Sequence, residues 1–372
     1  MVVGPGTVES VALIAATQAR DFWRGRRVVV TGHTGFKGAW LSFWLCRLGA
    51  DVAGFALDPE PGPNAFLLSG LATSMNSCSG DIRDAAALGT CIAAHRPTVI
   101  FHLAAQALVR AGIADPVGTY ETNAIGTANV VLAARACESV RAVVVVTSDK
   151  CYDLHAGSPR HAEDDPLGGD EPYSASKACA DHIAASLCAT PRDGSDGAAR
   201  IAIARAGNVI GGGDWSADRL VPDAIAAFTA GVPLELRYPA AIRPWQFVLD
   251  PLAAYIDIAR RLFADDGAAI ARAWNLGPPP DHERPVQWVA EALAEAWGAG
   301  ATWHQAAGAH PVEANTLRLD STAAARVLGW RSRVDLAAAI RRSVAWYRAQ
   351  LGGADVATLM GDEIERFEAA VA

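Results

Sequence analysis

Apolar positions along the chain follow two alternating rhythms. Short β-branched or apolar runs at 27–31, 52–57, 99–103 and 142–146 read as buried strands. The stretches between them, notably 39–48, 84–95 and 118–137, carry the three-to-four-residue apolar spacing of helices. The first run ends at Gly32 and the first helix closes at Gly49, so strand, glycine turn and helix follow one another. A helix at 174–188, a polar loop at 190–199 and a strand at 200–205 continue the alternation. Such a pattern predicts an α/β fold, a Rossmann-type doubly wound parallel sheet covered on both faces. Beyond residue 211 the texture shifts to short elements punctuated by Gly, Pro and Trp, which predicts a smaller, mixed C-terminal substrate-binding lobe. The expected organisation is an N-terminal extension at 1–20, a dinucleotide-binding domain at 21–210 to which 247–277 return, and a lobe made mainly of 211–372.

Composition narrows the function classes. The chain has 372 residues, half of them apolar, with a net charge of −8 and no basic run longer than 24–27, so a nucleic-acid partner is not expected. Seven cysteines, odd in number and never closely paired, point to reduced thiols in a cytoplasmic protein and to no metal site. The apolar stretch 11–16 follows Glu9 and is far too short to span a bilayer, so no membrane partner is expected. Of 32 basic residues, only Lys37, Lys150 and Lys177 are lysines, and all three fall in motifs.

Gly32, Gly35 and Gly38 are spaced three apart between the first strand and helix, within Gly32-His33-Thr34-Gly35-Phe36-Lys37-Gly38. A backbone that must approach a pyrophosphate needs residues without Cβ, and a helix N-terminus adds favourable partial charge. Dinucleotide binding follows, with Thr34, Phe36 and Lys37 in the same loop. The second strand ends at Asp58 with no arginine to pair a 2′-phosphate, favouring NAD over NADP, although Asp58 also suits a plain turn. Asp81 and Ile82 follow the next short strand and suit an adenine pocket, or equally a helix cap.

Tyr173 and Lys177 are four apart at the start of a helix, so they share a face. An ammonium beside a phenol favours the phenolate, which can take a proton from an alcohol while hydride leaves its carbon. Ser148, at the carboxyl end of the 142–146 strand, can hydrogen-bond the same hydroxyl. Asp149 and Lys150 follow it. Simple alcohol oxidation needs neither, whereas elimination of water needs one group to accept a proton and another to give one; a solvated loop ion pair is the bland alternative.

Together with His102-Leu103-Ala104-Ala105-Gln106, Asn123, Arg205-Ala206-Gly207-Asn208 and Arg243-Pro244-Trp245-Gln246, these motifs resemble the extended short-chain dehydrogenase/reductase family, in its branch of nucleotide-sugar 4,6-dehydratases, from Phe22 to about Tyr347. The resemblance implies bound NAD touching Leu103, Ala104, Ala105, Asn123, Tyr173 and Lys177. It implies a nucleotide-diphosphate hexose as substrate, with CDP-glucose expected, contacted by Gln106 and Asn208. It further implies Tyr173 as base at the 4-hydroxyl, Lys150 as base at C5 and Asp149 as acid for the C6 hydroxyl, with hydride returning to C6. Related dehydratases for dTDP-glucose carry Asp-Glu where this chain has Asp149-Lys150. A basic Lys150 must be neutral part of the time, which burial and a second nearby cation would favour. Arg219, Arg237 and above all Arg243 are candidates for the diphosphate, since guanidinium groups hold phosphates in bidentate fashion. A homodimer through the helices at 118–137 and 174–188 is implied, as is a place in deoxysugar and lipopolysaccharide biosynthesis. A dehydratase or 4-epimerase for another nucleotide sugar, or a catalytically silent NAD-binding scaffold or redox sensor, are the competing readings.

Overall fold

The computed structural model describes residues 20–190, 199–298, 300–307 and 317–370. All but the last residue of the extension expected at 1–20 lies outside them, as does most of the polar loop at 190–199. Seven strands form the central sheet: β1 (Arg27–Thr31), β2 (Asp51–Ala56), β3 (Asn76–Ser79), β4 (Val99–His102), β5 (Ala142–Val146), β6 (Arg200–Ala206) and β7 (Ala273–Leu276). Their spatial order is β7-β6-β5-β4-β1-β2-β3, every pairing parallel. The order reverses between β1 and β4, which opens a crevice at the carboxyl ends of those strands where open α/β sheets hold ligands.

Strand periodicity explains both covered faces. In β1, Val28 and Val30 join the core under α1 (Phe36–Arg47), while Val29 joins the opposite one with Leu88 and Ile92 of α2 (Ala85–His95) and Val130 and Val131 of α3 (Gly126–Ala136). In β5, Val144 and Val146 face the first core and Val143 and Val145 the second. Each fully buried valine is worth about 1.5–3 kcal/mol relative to exposure, so a strand buried on both faces is strongly anchored.

Helix α4 (Pro172–Ala189) lies beside α3 and carries Tyr173 and Lys177. Its first turn is well set: Pro172 stands at N1, and the Glu171 carboxylate accepts from the N–H groups of Tyr173 at 2.7 Å and Ser174 at 2.8 Å. The helix expected at 118–137 runs without a break over 116–136, with a π turn at Glu121–Ile125 between its first stretch, Pro116–Tyr120, and α3. Apolar positions mark a helix but not the i→i+5 hydrogen bonds of a π turn. Asp115 caps the entry, and at Gly126 a Cβ would meet Ile82 Cδ1 at 2.5 Å, so the chain passes tightly over that side chain.

Past β6 the chain builds small two-stranded pieces, pairing 209–210 with 246–247, 242–244 with 283–285 and 234–236 with 303–305. Between them, helix α5 (Leu249–Arg261) packs on β5 and β6, and β7 adds to the sheet edge. Two terminal helices, α6 (Leu336–Leu351) and α7 (Val356–Ala369), close over α1. Trp40 of α1 donates to the Gly212 carbonyl at 2.9 Å, and Tyr347 of α6 bonds the Asp214 backbone, so the loop after β6 is clamped against the glycine-loop helix.

Candidate active site

Three glycines begin the site, each bare for a different reason. Gly32 has φ +74°, and a Cβ there would lie 2.7 Å from the Ala104 nitrogen. A Cβ on Gly38 would overlap the Gly32 carbonyl oxygen, so this glycine lets α1 seat on the loop. Gly35 has an ordinary φ of −79° and would place a Cβ no closer than 3.5 Å to any protein atom. It caps α1 with no side-chain hydrogen bond and no acidic residue in the first turn. An exposed, uncapped helix N-terminus behind an unneeded glycine fits a pyrophosphate. Gly35→Ala should therefore leave thermal stability nearly unchanged while weakening NAD binding about tenfold or more, read by titration calorimetry. Equal affinity in this variant would mean that the phosphates lie elsewhere.

Around this loop the other expected cofactor residues take distinct places. Thr34 Oγ1 donates to the Leu57 carbonyl at 3.0 Å, which ties the loop to the end of β2 and sets the exposed Asp58 beside it. Leu103 and Ala104 continue from β4, their N–H groups bonded to Thr31, and with Ala105 they wall the loop. Asp81 is bound by Arg83, which also reaches Glu121 at 3.5 Å; this pairing holds the Asp81 carboxyl below its ordinary range. Ile82 is buried against α3.

Asn123 and Gln106 are tied into the protein by their own hydrogen bonds. Asn123 Nδ2 donates to the Gln106 carbonyl at 2.9 Å and to Ser176 Oγ at 2.8 Å, while its Oδ1 accepts from the Gln106 N–H. Both amide hydrogens are thus spent within the protein. Gln106 likewise donates to Thr119 and accepts from the Leu108 N–H. Asn123 thus braces α4 against the loop after β4, and the Gln106 side chain ties that loop to Thr119.

At the carboxyl end of β5 the backbone turns at Asp149–Cys151, with Ser148 as its cap. Ser148 Oγ accepts from the Lys150 N–H at 3.2 Å, donates to Asp149 Oδ1 at 3.0 Å and hydrogen-bonds the Tyr173 phenol. The Asp149 side chain is only 2 % exposed, and its Oδ2 has no partner. Lys150 Nζ is 3.4 Å from Asp149 Oδ1, with 22 % of its side chain exposed. The neighbour found for Lys150 is therefore a carboxylate, where a second cation was expected.

Lys177 lies buried one turn after Tyr173. Its Nζ donates to the Val146 carbonyl at 3.2 Å, and burial lowers its pKa to about 8. The Tyr173 phenol is raised above its ordinary value by burial, with the Ser148 hydrogen bond and the charge of Arg219 pulling it back. Desolvation outweighs both.

The substrate candidates divide. Arg219 donates to the Ala107 carbonyl at 3.1 Å and acts electrostatically on Tyr173, so it faces the catalytic groups. Asn208 has a buried, unpartnered Oδ1. Arg243 is buried on the strand beside Gly207, where a Cβ would meet Pro244 at 2.7 Å and Asp149 Oδ2 at 3.2 Å. Arg237 shares Asp218 Oδ1 with Arg110, each at 2.8 Å. Sequence reasoning missed Arg110 and Asp218, whose pairing across distant segments leaves no local trace. It also missed Glu171, whose place before Pro172 is a readable cap signal, and the Asp181–Arg205 pair beneath the catalytic turn.

Comparison with known proteins places this geometry. The model for the NAD dependent epimerase/dehydratase family matches residues 28–277. A CDP-glucose 4,6-dehydratase of Salmonella typhimurium is 41 % identical over 354 residues, 94 % of this chain and 98 % of the relative. A dTDP-glucose 4,6-dehydratase of Neisseria gonorrhoeae is 27 % identical over 72 % of this chain and 79 % of its own. Among solved structures, DesIV, a dTDP-glucose 4,6-dehydratase from Streptomyces venezuelae with NAD and TYD bound, superposes with a TM-score of 0.74 at 25 % identity, over 89 % of this chain and 99 % of that one. A phosphate-ready glycine loop, a Ser148–Tyr173 pair at the strand ends and these matches agree, and the chain belongs to the NAD dependent epimerase/dehydratase family.

Proposed function

We propose that this protein converts CDP-glucose to CDP-4-keto-6-deoxyglucose and water. The observation that carries the proposal is Asp149: a nearly fully buried carboxyl group with one oxygen unpartnered, between Ser148 and Lys150 at the end of β5. An epimerase or a simple dehydrogenase has no work for such a pair, and a silent scaffold has none for Tyr173 and Lys177. The 41 % identity to a CDP-glucose 4,6-dehydratase over nearly the whole of both chains supports the same reading and the choice of sugar nucleotide.

Bound NAD supplies the hydride acceptor at C4 and the donor that returns hydride to C6. Tyr173, hydrogen-bonded to Ser148, takes the 4-hydroxyl proton. Lys150 accepts the C5 proton, made acidic by the neighbouring ketone, Asp149 protonates the departing C6 hydroxyl, and Lys150 gives its proton back to C5 as hydride arrives at C6. Arg219, Asn208 and Arg243 hold the diphosphate end, Arg243 preceding the Pro244 that abuts Gly207.

Supplied with CDP-glucose deuterated at C4, the protein should deliver the label to C6 of a 4-keto product, read by NMR and mass spectrometry. Deuterium appearing in solvent would defeat the internal hydride transfer. Turnover of a different nucleotide sugar in place of CDP-glucose would defeat the substrate assignment.

The same reading extends to assembly and setting. Val117, Tyr120, Ile125 and Leu132 are large apolar side chains exposed along the 116–136 segment beside α4, which supports a homodimer through these helices. The seven cysteines are all free thiols, which supports a reducing cytoplasmic setting, and no described helix is long and apolar enough to cross a membrane.

A further inference from the structure

We infer that Ser148 passes a proton from Tyr173 to Asp149, so that the proton taken from the sugar 4-hydroxyl is the one that leaves with the C6 oxygen as water. This role rests on the dehydratase reading proposed above.

Proton balance creates the need. Over one turnover Lys150 takes a proton from C5 and returns it there, so it ends unchanged. Tyr173 takes the 4-hydroxyl proton and has no step in which to give it up. Asp149 gives a proton to the departing C6 hydroxyl and has no step in which to regain one. The electron pair of the C4–H bond leaves as hydride and arrives at C6, so the electrons balance, while one proton is in excess on the phenol and one is missing from the carboxyl group. Moving that proton from Tyr173 to Asp149 restores the protein with nothing added from outside.

The three groups stand in the order such a transfer requires. Ser148 Oγ donates to Asp149 Oδ1 at 3.0 Å and hydrogen-bonds the Tyr173 phenol, where α4 packs on the 149–151 turn. A serine hydroxyl has one hydrogen and two lone pairs. The Lys150 N–H occupies one lone pair at 3.2 Å and the hydrogen points to Asp149, which leaves the second lone pair for the phenol. Bulk water has no comparable path, since the Asp149 side chain is 2 % exposed and Ser148 and Tyr173 are buried. The competing route is Lys150, 3.4 Å from the same Oδ1 and partly exposed, which could fetch a proton from solvent. The two routes differ in what Asp149 does to C4 oxidation. By charge alone Asp149 opposes the phenolate, as does Glu171, while Arg219 favours it; Lys177 bonds the Val146 carbonyl, and Lys37 of α1 acts on Asp149. Neutralising Asp149 would then speed oxidation. With the relay, an amide at 149 cannot receive the proton, and oxidation slows.

The rate at which reduced cofactor forms on mixing with CDP-glucose should be compared between Lys150→Ala and the Lys150→Ala, Asp149→Asn double variant, both of which stop after C4 oxidation. The double variant should be slower by about 10²-fold at neutral pH. That gap should close as pH rises toward about 10, where solvent takes the phenol proton directly. In mixtures of light and heavy water the Lys150→Ala rate should fall along a curve, because several protons move together, and the double-variant rate along a straight line. Ser148→Ala in the Lys150→Ala background should reproduce both the loss and its recovery with pH, and Ser148→Thr should restore most of what Ser148→Ala loses. Oxidation as fast or faster in the Asp149→Asn protein at neutral pH overturns the relay, and so does a loss that persists at high pH, which reports a disturbed site. If Lys150→Ala forms no reduced cofactor with CDP-glucose, the dehydratase reading fails and the relay with it.

Discussion

Mixed with CDP-glucose, the Lys150→Ala protein should form reduced cofactor once and stall, with steady-state turnover lower by about 10³-fold. Removing the ammonium takes away the group placed to accept the C5 proton, but it leaves Ser148, Asp149 and Tyr173 in their hydrogen-bonded arrangement. Oxidation at C4 then proceeds and elimination does not. Stopped-flow absorbance in the near ultraviolet would show a single rise that persists. Tyr173→Phe should behave oppositely, with no rise at all, because the 4-hydroxyl proton has no acceptor. The contrast matters more than either loss alone, since a merely disordered site would abolish both signals. Full turnover in Lys150→Ala would remove the lysine from the elimination step, and Lys150→Arg tests the same point, because a guanidinium cannot give up its proton at neutral pH.

Asp181→Ala should lower stability by about 3–5 kcal/mol, the cost of leaving a buried guanidinium without its counter-ion. Arg205 reaches Asp181 through two hydrogen bonds of 2.8 and 2.7 Å, with both side chains almost completely enclosed. The same arginine donates to the Tyr152 hydroxyl at 2.7 Å and to the Glu163 carbonyl at 2.8 Å, while Thr147 Oγ1 donates to Asp181 Oδ2. This network sits directly under the turn that carries Asp149 and Lys150. Urea titration followed by tryptophan fluorescence would give the midpoint. An Asp181→Leu, Arg205→Met double variant should recover much of the loss, because an apolar pair of similar volume leaves no charge stranded. An unchanged midpoint in Asp181→Ala would mean the pair contributes specificity of shape and not stability.

Much of the fold could be read from periodicity alone. Strands buried on both faces announce themselves as unbroken runs such as Ala142–Val146, and the reversal of strand order follows from how right-handed crossovers pack. The π turn at Glu121–Ile125 could not be read, since apolar positions mark a helix without marking which carbonyl each N–H reaches. In the site, motif spacing found the side chains that converge near Ser148 but not what each would touch. Lys177 shares a helix face with Tyr173, yet it bonds the Val146 carbonyl, a partner set by how α4 lies on β5. Asn123 and Gln106 stand in the recognised motifs, but the Asn123 amide bonds the Gln106 backbone and Ser176, and the Gln106 amide bonds Thr119 and the Leu108 N–H. Long-range pairs such as Asp218 with Arg110 and Arg237 depend on tertiary placement, which no local pattern encodes.

The seventh strand arrives late in the sequence. Residues 273–276 pair with β6 only after the chain has made more than sixty residues of the lobe. During synthesis on the ribosome, β6 therefore stands as an open parallel edge until the polypeptide has emerged past Leu276, a template for joining with another nascent copy. Charge at the beginning of that edge, Arg200, gives the unfinished sheet some protection while it waits. A chain terminated before residue 273 would keep every glycine of the cofactor loop and still fail to persist in the cell, lost to aggregation and not to any defect in its chemistry.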